Sequence, residues 1–153
     1  SGYYDHMEES HELLAFYGNE KIWDILAENP RNRVVVFGEQ PEMLRFPCST
    51  QSYTDIEGSG GNFNLSSSPE VMADFFTFAG VDYIYLGSGY LKPGTDGFRN
   101  VTGLLKQGYL SDLLYENGNG LAVFSSEPTE LTEEESEALL AEFTEKYWPG
   151  EQQ

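Results

Sequence analysis

Glycines that directly follow an apolar run let a chain bring backbone N–H groups close to a ligand. Gly87-Ser88-Gly89-Tyr90-Leu91-Lys92-Pro93-Gly94 is such a stretch. It follows Val81–Leu86, precedes a helical pattern, and carries the Lys92 ammonium. It is not a nucleotide fingerprint. It matches neither GxGxxG nor GxxxxGK[ST], because Thr95 stands where the lysine belongs and Pro93 intrudes. The plainer reading is a turn-rich loop. Gly58-Ser59-Gly60-Gly61 lies about twenty residues after the Val34–Phe37 run and reads as a mobile loop rather than a nucleotide cradle.

Nucleophilic catalysis needs a base beside a serine or cysteine. GxSxG is absent, and Gly87-Ser88-Gly89 lacks its spacing. Cys48 has no histidine within local reach and reads as a small core or loop residue. His6 and His11 are too widely spaced to stack on one helix face. Neither HExxH nor a DxDxDG calcium loop occurs, so no metal set and no cofactor is expected. Carboxylate pairs for glycoside hydrolysis are available among 26 acids, with Asp55, Glu57 and Asp82 as examples, but no spacing selects one. Phe46, Tyr53, Phe63, Tyr83, Tyr85 and Tyr90 could line a saccharide-stacking groove; ordinary core packing is the competing reading. Asn64-Leu65-Ser66 and Asn100-Val101-Thr102 match the glycosylation acceptor pattern, which matters only in a eukaryotic secretory setting.

These residues must be positioned by regular elements. Leu13, Leu14 and Tyr17, then Ile22, Trp23 and Leu26, predict helix over about Asp5 to Asn29, in one piece or in two divided at Gly18-Asn19, and ended by Pro30. Val34-Val35-Val36-Phe37 predicts a strand buried on both faces. The stretch from Glu39 to Ser68 is irregular, with a short extended piece within Leu44 to Tyr53. Ser68-Pro69-Glu70 opens a helix whose apolar stripe is Val71, Met72, Phe75, Phe76 and Ala79; Gly80 stops it. Val81–Gly87 is a second strand, with Val81, Tyr83 and Tyr85 on one face and Ile84 and Leu86 on the other. Phe98 to Gln107 is a short helix. Leu110, Leu113 and Leu114 have helical spacing, yet Asn117-Gly118 signals a hairpin, so strands at about Asp112–Glu116 and Gly120–Ser125 are favoured. Thr132 to Glu135 is a capping box opening a helix with Leu139, Leu140, Phe143 and Tyr147 on its apolar face. Its acids read as a solvated face.

The pattern predicts a three-layer, Rossmann-like α/β fold. Its mixed sheet has parallel strands, an antiparallel edge hairpin, and flanking N- and C-terminal helices. One domain over 3–149 is expected, with the acidic helix 132–148 packed on it. Ligands on such sheets sit beyond the carboxyl ends of the strands. The candidate ligand contacts there are Glu39, Ser88, Tyr90, Lys92 and Ser125.

The chain has 153 residues and a formal charge of −18. That charge repels phosphate backbones and anionic lipid, so no nucleic-acid partner is expected. No apolar run is long enough to insert in a bilayer, and one cysteine forbids an internal disulfide.

The element order carries a resemblance. A helix with Trp23 leads through Asn29-Pro30 to Arg33–Gly38. A variable loop follows, then Gly80-Val81-Asp82-Tyr83-Ile84-Tyr85 and the hairpin from Leu114 to Phe124. This resembles the soluble C-terminal domain after the last membrane helix of bacterial polytopic membrane proteins. Mannosyltransferase-like, lipid-phosphosugar-dependent glycosyltransferases are among them. In that family the catalytic carboxylates lie in loops of the membrane portion, so none is carried over to this chain. The resemblance implies a non-catalytic accessory domain at the extracytoplasmic face. Its partners would be the membrane-embedded portion of the same protein and a glycan acceptor. The scarcity of Lys and Arg agrees with that side of the membrane. The acidic C-terminal helix departs from the pattern. The alternative is a small-molecule or nucleotide-sugar binding module using the loops after Gly38 and Gly87. A third reading is a hydrolase working through Asp55 and Glu57.

Overall fold

Four adjacent β-branched and aromatic side chains cannot all face one side of a strand, so β1 (Arg33–Phe37) must lie inside a covered sheet. It does: Val34, Val35, Val36 and Phe37 are all buried. The computed structural model describes residues 20–38, 46–53 and 68–147. Its sheet has the order β2-β1-β3-β5-β4, with β2 at Ser49–Ser52, β3 at Tyr83–Leu86, β4 at Leu110–Glu116 and β5 at Asn119–Phe124. β1 pairs in parallel with β2 and β3, while β5 is antiparallel to β3 and to β4.

Helices cover both faces, giving the expected three layers. α1 (Glu20–Ala27) buries Ile22 and Leu26 against Val34, Val36, Tyr85 and Leu121. Eight residues are too few for a stable isolated helix. Burying two such side chains, at roughly 1.5–3 kcal/mol each, supplies what propensity does not. On the other face α2 (Pro69–Phe78), α3 (Asp96–Lys106) and α4 (Glu133–Tyr147) pack over Val35, Phe37, Ile84, Leu86, Ala122 and Phe124. The upstream part of the predicted N-terminal helix, Asp5 to Asn19, lies outside the described residues.

Local chemistry sets the element ends. Ser68 caps α2 by accepting the Val71 N–H at 3.1 Å, with Pro69 at the first turn, as read from sequence. Thr132 and Glu135 form a reciprocal capping box at 3.1 Å each way. Asn117 (φ 50) and Gly118 (φ 79) make the two-residue turn between β4 and β5; positive φ at both positions matches the right-handed twist of the hairpin. The segment from Leu110 is therefore strand and not a continuation of α3. Val81 differs from expectation. It precedes the first paired residue, Tyr83, so strand alternation does not reach it, and it joins the core on the α2 side.

Candidate functional site

Pairing registers define one functional rim. Phe37 lies opposite Leu86, and Val36 opposite Ser52, so β1, β2 and β3 end together. Leu86 also lies opposite Gly120, and Glu116 opposite Asn119, which brings the hairpin turn to the same rim. Ser88, Tyr90 and Lys92 stand on this rim, all on the loop between β3 and α3.

Ser125 does not. It follows β5, which runs against β3, so it emerges at the opposite edge of the sheet. There its N–H donates to the Tyr109 carbonyl at 3.0 Å, and its hydroxyl closes a turn with Glu127. The sequence reading placed it with the others because strand direction was not legible in it. Glu39 lies outside the described residues, as do Asp55, Glu57, Phe63, Asn64 and the glycines 58, 60 and 61.

The loop is held by contacts from far along the chain. The Ser88 N–H donates to Asn119 Oδ1 at 2.8 Å. The Tyr147 hydroxyl donates to the Gly87 carbonyl and accepts the Leu91 N–H at 3.2 Å. The Tyr90 N–H donates to the Gly87 carbonyl at 3.1 Å. Three backbone donors that a phosphate cradle would aim outward are thus engaged by the protein itself. The start of α3 is served as well. Thr95 Oγ1 accepts the Phe98 N–H at 3.3 Å and donates to the Lys92 carbonyl at 2.7 Å. Asp96 adds a negative charge in the first turn and pairs with Arg99 at 2.8 Å. A further anion would meet that carboxylate and not an open helix dipole.

Between loop and helix lies a hollow of about 370 Å³, lined by Tyr53, Tyr90, Leu91, Thr95, Asp96 and Gly97. Gly97 is buried here; a Cβ on it would come within 3.2 Å of Leu91 Cδ2 and 3.4 Å of the Tyr53 ring. The hollow offers a half-buried tyrosine ring and the Asp96 carboxylate, which also pairs with Arg99, while the Thr95 hydroxyl is committed to the helix cap. Those groups suit a neutral hydroxylated molecule better than a phosphate. Among the described residues the wider aromatic groove does not form. Tyr85 is fully buried on the α1 side beside Phe46, at 4.9 Å between ring centroids, and Tyr53 is buried and stacked on Phe37 at 4.5 Å. Core packing claims both rings.

Other candidates resolve to structure. Cys48 is half-buried against the α1 side; burial, helped by the Asp82 charge, pushes its thiol up to about 11. It stays protonated at neutral pH and is a poor nucleophile. Asp82 accepts the Arg33 N–H at 2.9 Å, bracing the start of β1. Asn100 is fully buried, so its acceptor pattern is closed to a glycosylating enzyme once the chain is folded. Among the described residues no group of three or more His, Cys, Asp or Glu is placed to hold a metal.

Sequence reasoning missed Tyr147 and Asn119 as rim residues. Tyr147 registered only as one of a helix's apolar positions. Its buried phenol was a usable signal, since a tyrosine on a core face needs a polar partner. No family model, curated protein or solved structure matches the chain.

Proposed function

We propose that this chain is a non-catalytic accessory domain at the extracytoplasmic face of a bacterial membrane protein, with a membrane glycosyltransferase as the parent class. The supporting observation is the internal use of the rim. The loop that would present chemistry on an α/β sheet has its Ser88, Tyr90 and Leu91 donors tied to Asn119, Gly87 and Tyr147. Such a rim displays a fixed surface and does not assemble a reacting centre. Its partners are then the membrane-embedded portion of the same protein and a glycan acceptor. Among the described residues no helix is long and apolar enough to cross a membrane, so the spans belong to sequence outside these elements. The reading frame that encodes the chain tests this. Several membrane-spanning helices upstream are expected; a frame opening near Tyr3 with no spanning helix overturns the proposal.

The hollow beside α3 favours a second reading, a small-molecule binding module. Its lining favours neutral sugars over nucleotides. A ligand at about 100 times its Kd stabilises the native state by about 2.7 kcal/mol, which a thermal-shift panel resolves as several degrees. The shift should appear with sugars and vanish in Tyr90→Ala. No shift across sugars and nucleotides removes this reading.

A further inference from the structure

We propose that the cleft where β1 and β2 begin is a binding site for a carboxylate, held by the Arg33 guanidinium. It stands at the amino ends of the parallel strands, at the opposite edge of the sheet from the rim described above. Val34 and Val36 turn toward α1, while Val35 and Phe37 turn toward α2. Arg33 stands two positions before Val35 and so also turns toward α2. Ser49 and Gln51 lie opposite Arg33 and Val35 in the parallel register, so all four rise from one face. On that face α2, α3 and α4 pack over β1, β3 and β5, and Ser49 and Gln51 stay exposed. The corner left over is a cleft of about 240 Å³, with Ala79 and Val81 as its apolar wall.

The cation in this cleft is fixed in place and keeps donors to spare. Arg33 Nη1 donates to the Ala79 carbonyl at 2.8 Å, which sets the guanidinium at the end of α2. That bond occupies one N–H, and the planar fork carries others. Among the described residues Arg33 forms no ion pair, although the chain holds 26 acids against 8 Lys and Arg. The Asp82 carboxylate accepts the Arg33 backbone N–H at 2.9 Å and leaves the guanidinium to other acceptors. A guanidinium binds a carboxylate through two parallel hydrogen bonds. The Ser49 hydroxyl and the Gln51 amide line the same cleft and can donate to the same oxygens. Ala79 and Val81 meet an aliphatic tail. One positive charge, set at the negative end of a helix in a molecule of charge −18, suits a monoanion and disfavours a phosphate dianion. The ligand class is therefore a small aliphatic monocarboxylate, and the site stands whatever protein the domain serves.

An NMR titration of the full chain with sodium butyrate tests this. Sodium chloride holds the ionic strength constant, because screening alone acts on a chain this acidic. The Ser49, Gln51 and Gly80 amides and the Arg33 side-chain N–H should shift together and saturate with a single Kd in the millimolar range. Butyramide, the neutral isostere, should move none of them. N-acetylvaline, which ends as a peptide does, separates two sources of the carboxylate. Tighter binding than butyrate points to a chain terminus and weaker binding to a free acid; either supports the site. Arg33→Gln should weaken butyrate binding about tenfold or more, and Arg33→Lys should restore only part of it, because an ammonium lacks the planar fork. Shifts that chloride reproduces, that spread over the surface without saturating, or that survive Arg33→Gln overturn the proposal. So does phosphate saturating the same amides more tightly than butyrate. If Arg33→Gln fails to fold, butyrate against butyramide on the wild type is decisive.

Discussion

Asn119 is the residue that joins the hairpin to the loop after β3. Truncating it in Asn119→Ala leaves the Ser88 N–H without its acceptor, and a part-buried donor left unmet costs about 1–3 kcal/mol. Urea unfolding should show that loss as a lower midpoint at unchanged slope. Gly103 poses a sharper contest. Helix propensity alone favours alanine by about 1 kcal/mol. But a Cβ there would lie 2.2 Å from Pro69 Cγ, where α2 crosses α3. The proline ring cannot swing aside, so the helices must separate, and overpacking of this kind costs about 1–3 kcal/mol. Gly103→Ala should therefore melt several degrees below the wild type; a rise would show that helix propensity outweighs the contact with Pro69. Residues of this kind divide by how local their signal is. Ser88, Tyr90 and Lys92 were legible because a glycine-rich stretch after an apolar run is a local pattern. Tyr147 was not legible, because its partners Leu91 and Gly87 lie 56 and 60 positions away. Nothing near Tyr147 in the sequence says which carbonyl its phenol will find.

Elements were legible where caps, turn chemistry and periodicity agreed. Ser68-Pro69, Thr132 with Glu135, and Asn117-Gly118 each set a boundary that the structure repeats. The segment from Leu110 was ambiguous for a physical reason. A bulge between Ser111 and Leu114, with Asp112 at φ 49, inserts one residue into β4 and breaks its two-residue alternation, so the leucines fall at helical spacing. Strand direction was the other loss. β5 inserts between β3 and β4, a tertiary choice, and it carried Ser125 to the far rim. Two predictions belong at this scale. Glu116, at the end of β4, accepts the Lys21 and Ile22 N–H groups at 3.1 and 3.2 Å and so caps α1 from across the sheet. Glu116→Ala should cost about 1 kcal/mol, and exchange should quicken first at those two amides. The α4 capping box is pH-dependent. Hydrogen bonds from the Thr132 backbone and then its hydroxyl hold the Glu135 carboxyl below its ordinary 4.5. A depressed pKa stabilises the native state fully above the unfolded value and is lost as pH falls through the folded one. The first turn of α4 should fray on acidification below about 4.5, seen as faster exchange there, and Glu135→Gln should show the frayed rate at neutral pH.

Across the whole molecule, charge is the dominant feature. At −18 the folded state repels itself, and the described ion pairs Arg99–Asp96 and Lys146–Glu142 are half exposed, a class worth about 0–1 kcal/mol. Raising salt from about 0.01 to 0.15 M shortens the screening length from about 30 to 8 Å, so the melting temperature should rise. A fall would mean that attraction between opposite charges outweighs repulsion. The charge also repels phosphate backbones and anionic lipid, in keeping with the proposed accessory role. The layered α/β class was legible, because buried strands and amphipathic helices advertise themselves by composition and period; the strand order was not. What the rim does was not legible, because a surface whose donors are satisfied internally leaves no motif. The central claim is the domain's place at the extracytoplasmic face, and accessibility in the full-length gene product tests it most directly. Phe78 is 91% exposed, so a cysteine there is reachable without disturbing the core. In bacterial spheroplasts Phe78→Cys should react with a membrane-impermeant maleimide before lysis; reaction only after lysis would contradict the account.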